Sequence, residues 1–180
     1  RRLEGLINDV LALARLEARH TEMAPEHVRV DEVIKKAVSG QTAALEAKEV
    51  SCVVELEEVI LLGNADWLRR AIENLLVNAI RYSPQSGTIR IALRGVDGRA
   101  IVTVSDAGPG VSETMKERLF ERFVTDRKEP DQTGLGLAIV RTVAELHDGW
   151  VRVLPSDEGA CFELDLGDVP STGGNSNPRS

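Results

Sequence analysis

The feature that most constrains the fold of this sequence is an amphipathic segment at residues 66–82, where apolar residues recur at helical spacing. Asn64 or Asp66 can cap its start, and Ser83 followed by Pro84 ends it. We therefore predict a helix that buries one face in a core. The core-facing positions are Leu68, Ile72, Leu75, Leu76, Ala79 and Ile80.

The polar face of this segment is unusual because it carries two asparagines one helical turn apart, Asn74 and Asn78. Arg81 and Tyr82 extend the same edge by one further turn. Asparagine in a helix interior costs roughly half a kcal/mol relative to alanine, so its repetition here indicates a function. An amide oxygen can ligate a hard cation and an arginine can bind an anion. This face is therefore predicted to support a magnesium-bound phosphate chain.

The composition limits the classes of protein to consider. With 180 residues, 42% of them hydrophobic, the chain is large enough for one cored domain and a small appendage. A net charge of -7 argues against a general nucleic-acid binder. Cys52 and Cys161 lie in alternating apolar runs, which favours small core residues over a disulfide or a metal pair. The longest apolar runs are far shorter than the roughly 18 residues of a membrane span, so we expect no membrane contact from this chain.

The first 18 residues form a helical pattern with apolar residues at the a and d positions of two heptads. These positions are Leu3, Leu6, Val10 and Leu13. The segment is either the end of a longer dimerising helix or an amphipathic helix docked on the domain, because two heptads are too few to hold a dimer alone. Since the pattern is already helical at its first residue, we expect the chain to be part of a longer protein.

The remaining pattern mixes helices with strands. A strand is predicted at 27–30, a helix capped by Asp31 runs to about Glu49, and strands follow at 51–57 and 59–62. Later strands are predicted at 88–94, 100–105, 150–154 and 161–166, and later helices at 112–120 and 133–147. The strands look antiparallel, which predicts an α+β fold with one sheet and helices on one of its faces.

Asp106 follows a predicted strand and opens the sequence Asp106-Ala107-Gly108-Pro109-Gly110. A carboxylate at a strand end can accept a hydrogen bond from an exocyclic amine such as that of adenine. The glycines would let the backbone approach a flat ring closely. The alternative is a plain turn after a strand, and the motif alone does not decide between the two.

A second glycine pair, Gly134 and Gly136, begins a predicted helix. The free N–H groups and dipole of a helix start favour a phosphate there, and a flexible hinge is the alternative. The charged loop at residues 121–132 lies between the two glycine motifs. Such a loop suits a lid that closes over a ligand, although an ordinary surface insertion has the same composition.

The order and spacing of these motifs resemble those of the histidine-kinase ATPase family, which groups sensor kinases with gyrase B, Hsp90 and MutL. The matching residues are Asn74 and Asn78, then Asp106 to Gly110, then Phe120 and Phe123, then Thr133 to Leu137. The resemblance covers about residues 28–166. Residues 73–84 and 133–140 are most similar to the sensor histidine kinase branch. Residues 8–15 resemble the second helix of that branch's dimerisation hairpin.

The resemblance implies a Bergerat-type ATP-binding fold. This is a two-layer sandwich in which a mixed, mostly antiparallel sheet of about five strands carries three main helices on one face. It also implies that Asn78 ligates Mg²⁺ at the phosphates with Asn74 beside it, and that Asp106 binds the adenine amine. The other implied ATP contacts are Arg81 and Tyr82 at phosphate, ribose or base, Gly108 and Gly110 around the base, and Thr133, Gly134, Leu135, Gly136 and Leu137 at the phosphates and lid hinge. Phe120 and Phe123 would anchor the lid.

Two departures from the family pattern matter for function. Family members commonly carry an aromatic and then a basic residue after the second phenylalanine, whereas Val124 follows Phe123 here and the first basic residues are Arg127 and Lys128. Either Arg127 or Lys128 contacts the γ-phosphate and has a catalytic role together with Asn78 and Arg81, or the contact of the lid with the γ-phosphate is weak.

The second departure concerns the phosphoacceptor, which in the family is a histidine before an acidic residue and an Arg-Thr-Pro-like run. None of the three histidines of this chain has that setting. We therefore expect the chain to bind nucleotide without phosphorylating itself.

The resemblance also implies a domain order. Residues 1–20 would end the second dimerisation helix, 21–27 form a linker, and 28–167 form the catalytic ATP-binding domain. The Gly, Ser, Asn and Pro content of residues 168–180 predicts a disordered tail. The whole protein would be a homodimeric sensor kinase on the cytoplasmic side of the bacterial inner membrane. Its catalytic domain would present MgATP to a histidine of its own dimerisation domain, and the phosphoryl group would pass to a response-regulator aspartate.

Two other functions are weighed against this one. A nucleotide-sensing or scaffold domain without transferase activity is motivated by the missing basic residue after the second phenylalanine. A gyrase-like or Hsp90-like ATPase is disfavoured, because the chain lacks room for the additional dimerising elements of those proteins.

Overall fold

The computed structural model describes residues 2–18, 25–124 and 133–170, and its elements follow the predicted order. The helices are α1 (Arg2–Ala18), α2 (Val30–Gly40), α3 (Thr42–Ala47), α4 (Ala65–Tyr82), α5 (Glu113–Lys116) and α6 (Gly136–Leu146). The strands are β1 (Glu26–Arg29), β2 (Ser51–Leu56), β3 (Ile60–Gly63), β4 (Thr88–Val96), β5 (Arg99–Ser105), β6 (Trp150–Leu154) and β7 (Cys161–Asp168).

The central helix α4 belongs to the connection between two parallel strands. β2 and β4 run parallel, with Ser51 opposite Thr88, and parallel neighbours need a crossover, which β3 and α4 supply. Asn64 caps the helix, because its Oδ1 accepts a hydrogen bond from Trp67 N at 3.0 Å. Every predicted core position of α4 is buried. The amphipathic pattern therefore predicts this helix and its inward face correctly.

The main sheet has five strands in the order β2-β4-β5-β7-β6, and every pair except β2 and β4 is antiparallel. Alternate residues of β4 and β5 are buried, among them Ile91 on β4 and Val102 on β5, while their neighbours in sequence are more exposed. One face of the sheet thus meets the core, where α2 packs on α4 and α4 packs on α6. The predicted α+β two-layer sandwich with a mixed sheet is confirmed.

β1 and β3 form a separate antiparallel ribbon, with Val28 opposite Leu61. Both of these side chains are buried in the same core as the helices. The expectation of one sheet is therefore wrong for these two strands. Each has only four residues, and so short a pattern does not specify which distant strand it will join.

The start of α2 also differs from the prediction. The helix begins at Val30, and Asp31 lies buried in its first turn instead of capping it. Arg29 donates hydrogen bonds to both carboxylate oxygens of Asp31 at 3.0 and 2.7 Å, and Lys35 donates a third at 3.1 Å. The hydrogen bonds from Arg29, followed by those from Lys35, lower the pKa of Asp31 to about 2 despite its burial.

The single helix predicted as far as Glu49 is two helices, because α2 ends at Gly40 and α3 begins at Thr42. Glycine costs about 1 kcal/mol relative to alanine in a helix, so Gly40 is a natural place for the break. The chain then turns at Glu49, whose φ is 55°, and enters β2.

Helix α1 docks on the domain. Leu13 and Leu16 are buried in the common core, and the helix packs against α6. Ile7, Val10 and Leu11 are exposed on the same helix. The docked alternative thus describes the observed contacts, and the exposed apolar side chains leave a dimerising role open. Among the described residues, no helix is both long and apolar enough to cross a membrane.

His147 follows α6 and ties it to the start of α4. Its Nδ1 lies 2.7 Å from Val143 O, and its Nε2 lies 3.3 Å from Asn64 N. Because the carbonyl can only accept and the amide can only donate, the ring is neutral with its proton on Nδ1. Burial lowers the pKa of His147.

An ion pair joins two neighbouring strands of the sheet, since Arg99 is the first residue of β5 and Asp165 lies in β7. Arg99 donates to both carboxylate oxygens at 2.7 and 2.9 Å, and Gly167 N donates to one of them at 2.7 Å. Asp165 is only 1% exposed, so its charge depends on these partners. β7 continues to Asp168, so this residue, predicted to begin a disordered tail, is the last of a strand instead. Residues 171–180 lie outside the described part of the chain.

Arg99→Ala is expected to lower the urea midpoint of unfolding by about 1 M, because it leaves the carboxylate of Asp165 buried without its charged partner. Circular dichroism during urea titration measures this shift. Arg141→Ala is the matched control, since Arg141 pairs with Glu145 on an exposed helix surface and such pairs contribute little. Equal shifts for the two variants would contradict the assigned role of Arg99.

Candidate nucleotide-binding site

A pocket of about 240 Å³ opens between α4, the loop after β5 and the start of α6. Most of the residues predicted to contact nucleotide line it, although they come from separate parts of the sequence. These residues are Asn74, Asn78, Arg81, Tyr82, Asp106, Gly110, Thr133, Gly134, Gly136 and Leu137. The structure thus brings the three predicted motifs to one place.

One wall of the pocket is the polar face of α4. Asn74, Asn78 and Arg81 line it because residues three or four apart share a helix face. Within the described part of the chain, the buried Asn74 Nδ2 has no hydrogen-bond partner. A buried amide donor without an acceptor is costly, so this wall suits a ligand that carries acceptor oxygens.

The opposite wall contains Asp106, which is 6% exposed. Its Oδ1 accepts hydrogen bonds from Gly108 N at 2.8 Å and Ala160 N at 3.3 Å, and its own N–H donates to Ala160 O at 3.0 Å. Burial raises the pKa of Asp106, while the two N–H donors and the charge of Lys48 act in the opposite direction. The carboxylate is therefore held in place at the end of β5, the middle strand of the sheet.

Gly108 shapes this wall from behind. It does not line the pocket, but a Cβ on it would lie 2.6 Å from Tyr82 O and 2.7 Å from Asp106 Oδ1. No side chain larger than hydrogen fits there. Gly108 therefore lets the end of α4 and the loop after β5 meet directly.

The start of α6 forms the third side. Gly134 has a φ of 67°, and its carbonyl accepts a hydrogen bond from Phe123 N at 2.8 Å. The hydroxyl of Thr133 accepts from Leu135 N at 3.3 Å and donates to Asp9 Oδ2 at 2.9 Å. The backbone ahead of α6 is thus fixed by short local contacts and by helix α1.

Leu135, predicted to contact the ligand, and Phe123, predicted to anchor the lid, do not lie where these roles require their side chains. Leu135 does not line the pocket, because its side chain is fully buried in the core, so any contact with a ligand would come from its backbone. Within the described part of the chain, the side chain of Phe123 is 65% exposed and does not pack against the core. Phe120 does pack, with its ring edge-on to that of Phe162 at a centroid distance of 6.3 Å.

The sequence patterns missed a largely apolar part of the lining. These residues are Asp9, Val77, Pro109, Val111, Ser112, Leu119, Val124, Ala160 and Phe162. Phe162 reaches the pocket because β7 pairs with β5, which places it opposite Val104. Asp9 lies on the docked helix α1, and its carboxylate accepts a hydrogen bond from Arg70 at 2.9 Å. No local motif signals either residue, although an apolar lining is what a flat base requires.

Some predicted features lie outside the described residues. Arg127 and Lys128 fall there, as does most of the charged loop assigned to a lid. Within residues 2–18, 25–124 and 133–170, no group of three or more His, Cys, Asp or Glu side chains could hold a metal ion.

A pocket of this kind on a two-layer α+β sandwich defines a nucleotide-binding domain. Comparison with known proteins gives the family, because residues 63–169 match the model described as histidine kinase-, DNA gyrase B-, and HSP90-like ATPase. The match covers more than half of the chain, and the chain belongs to this family.

Individual relatives agree with this assignment. Heme sensor protein HssS of Staphylococcus aureus is 35% identical over 156 residues, which are 87% of this chain and 34% of HssS. The solved mycobacterial sensor histidine kinase MprB is 30% identical with a TM-score of 0.73, over 81% of this chain and 99% of that chain. Full-length ShkA in complex with AMPPNP is 27% identical with a TM-score of 0.80, over 93% of this chain and 36% of that chain.

The chain spans about a third of the length of the curated relatives it matches. The predicted identity, a catalytic ATP-binding domain of the sensor histidine kinase type, is confirmed by these comparisons. The scaffold and gyrase-like alternatives are not favoured.

Gly108→Ala is expected to weaken ATP binding at least ten-fold, because the new methyl group would push Tyr82 away from Asp106. Calorimetric titration measures the affinity, and thermal unfolding reports whether the fold persists. Gly40→Ala is the control, since a Cβ there meets nothing within 4 Å. Unchanged ATP affinity in a folded Gly108→Ala chain would show that this contact does not shape the site.

Proposed function

We propose that this domain holds MgATP and presents its γ-phosphoryl group to a histidine on the dimerisation hairpin of the same protein. From that histidine the phosphoryl group would pass to an aspartate in the receiver domain of a response regulator. The observation that carries the proposal is the convergence of Asn78, Asp106 and Gly134 on one pocket, since three separate segments supply them.

The base end of the ligand belongs at Asp106. Both hydrogen bonds that hold its carboxylate end on Oδ1, so Oδ2 is the acceptor for the exocyclic amine of adenine. Gly110 and the ring of Phe162 line the same part of the pocket and suit a flat base. Tyr82, on the neighbouring helix end, would contact the ribose or the edge of the base.

The phosphate end belongs between α4 and the start of α6. The orphaned donor of Asn74 and the guanidinium of Arg81 would bind phosphate oxygens, and the N–H groups at the start of α6 add partial positive charge. Asn78 Oδ1 would ligate Mg²⁺, since amide oxygens are among the hard oxygen ligands that this cation accepts. Bound Mg²⁺ supplies neutralisation of the phosphate charge.

Closure over the nucleotide would involve the loop that ends at Thr133. Phe120, just before this loop, packs against the ring of Phe162. The hydrogen bond from Phe123 N to Gly134 O joins the chain before the loop to the chain after it. Arg127 or Lys128 would then reach the γ-phosphate. Phosphoryl transfer depends mainly on positioning and on neutralising charge, and these residues supply both.

Helix α1 would be the end of the second dimerisation helix. The linker predicted at 21–27 overlaps β1, which begins at Glu26, so the catalytic domain would begin with this strand. The acceptor histidine would then lie on the same hairpin, outside this sequence. We infer a homodimeric protein anchored at the cytoplasmic side of the inner membrane. The docked position of α1, through Leu13 and Leu16, supports a close association of hairpin and catalytic domain.

Asn78→Ala is expected to weaken binding of MgATP about ten-fold or more and to change the binding of metal-free ATP much less, because it removes the proposed metal ligand. Calorimetric titration with and without Mg²⁺ separates the two effects. Gln85→Ala is the control, since Gln85 is an exposed amide just beyond α4. Equal losses with and without Mg²⁺ would contradict the assignment of Asn78 to the metal.

Transfer is tested by mixing this chain with a separate two-helix hairpin that bears an acceptor histidine, in the presence of γ-labelled ATP. We expect label on the hairpin that is lost in acid and kept in alkali, as a phosphorus–nitrogen bond requires. Arg127→Ala combined with Lys128→Ala should slow this transfer at least ten-fold. Absence of transfer under conditions where the chain binds ATP would refute the kinase function.

A further inference from the structure

Lys48, the residue after α3, belongs to none of the motifs of the site, yet it reaches the end of the site helix. Its Nζ donates hydrogen bonds to Ile80 O at 2.7 Å and to Arg81 O at 2.5 Å. Carbonyls in the last turn of a helix have no partner within the helix, and they carry the negative end of its dipole. A cation that bonds two of them is a strong C-terminal cap for α4.

The backbone holds Lys48 in this position. Ser86 N donates to Lys48 O at 3.4 Å, and Ser51 N donates to Gly87 O at 2.9 Å. The hydroxyl of Ser86 also donates to the carboxylate of Glu49 at 3.2 Å. The turn that follows α4 is thus joined to the turn that follows α3, and the ammonium group of Lys48 is directed to the helix end.

The same helix end supports the base side of the pocket. Tyr82 O lies against Gly108, whose N–H donates to Asp106 Oδ1 at 2.8 Å. The charge of Lys48 is also close enough to lower the pKa of Asp106. Lys48 therefore influences Asp106 in two ways. Its hydrogen bonds support the helix end that contacts Gly108, and its charge lowers the pKa of the carboxylate.

We propose that Lys48 is a positioning residue for base recognition. It fixes the end of α4 against the loop that carries Asp106, through its hydrogen bonds to Ile80 O and Arg81 O. This inference rests on the proposed contact between Asp106 and the adenine amine. The inference extends the proposed function, because it makes a residue outside the pocket lining responsible for the geometry of that contact.

The test compares ATP with inosine triphosphate, which has a carbonyl where adenine has its amine, in calorimetric titrations of the whole chain. Wild type and the Asp106→Asn variant are measured first, and the variant should lose most of the preference for ATP. Lys48→Met should bind ATP about ten-fold more weakly and reduce the ATP preference at least five-fold, roughly the loss of one charge-assisted hydrogen-bonding group. Lys48→Arg keeps the charge and both donors, and it should restore most of the preference.

The controls separate positioning from simple stabilisation. Lys36→Met removes an exposed lysine from α2 and should leave both affinities unchanged. A cap that served folding alone would lower the melting temperature of Lys48→Met and keep its ATP preference, and that result would overturn the proposal. If Lys48→Met does not fold, Lys48→Gln, whose amide can still donate to one carbonyl, is measured with the same two outcomes. An Asp106→Asn variant that kept the preference would instead refute the proposed base contact.

Discussion

Burial of one face of α4 in the core is the interaction on which the rest of the structure depends. Five large aliphatic side chains of this helix are buried, and at about 2 kcal/mol each they contribute roughly 10 kcal/mol as an upper bound. Two asparagines on its other face cost only about 1 kcal/mol in helix propensity. Because the apolar face supplies the stability, the polar face can carry Asn74, Asn78 and Arg81, which line the pocket.

The pocket is assembled by backbone contacts more than by side-chain packing. Asp106 is held by the N–H groups of Gly108 and Ala160, and the chain ahead of α6 is held by the bond between Phe123 and Gly134. Such contacts tolerate little movement, because hydrogen bonds weaken quickly with distance and angle. The groups that line the pocket are consequently held in place without a ligand, which lowers the cost of binding one.

Local patterns in the sequence predict most of the elements, since α4 has a clear helical period and the strands at 88–94 alternate strictly. Pairing between distant segments was not predictable in the same way, and the parallel β2/β4 pair and the β1/β3 ribbon came from the structure. Leu135 was assigned to the ligand because it belongs to the family motif at 133–137, whereas its side chain is buried in the core. Phe162 enters the pocket only through the pairing of β7 with β5, which no short motif encodes.

The neutral imidazole of His147, which joins the end of α6 to the start of α4, has both nitrogens committed, and a second proton would have to face the N–H of Asn64. The unfolded chain accepts this proton near pH 6.5, whereas the folded chain accepts it only at lower pH. Between these values the unfolded state binds more protons, so the free energy of unfolding decreases as the solution is acidified below about pH 6.5. Mild acid thus lowers the stability of the whole fold through His147, a side chain that joins the two helices lining the pocket.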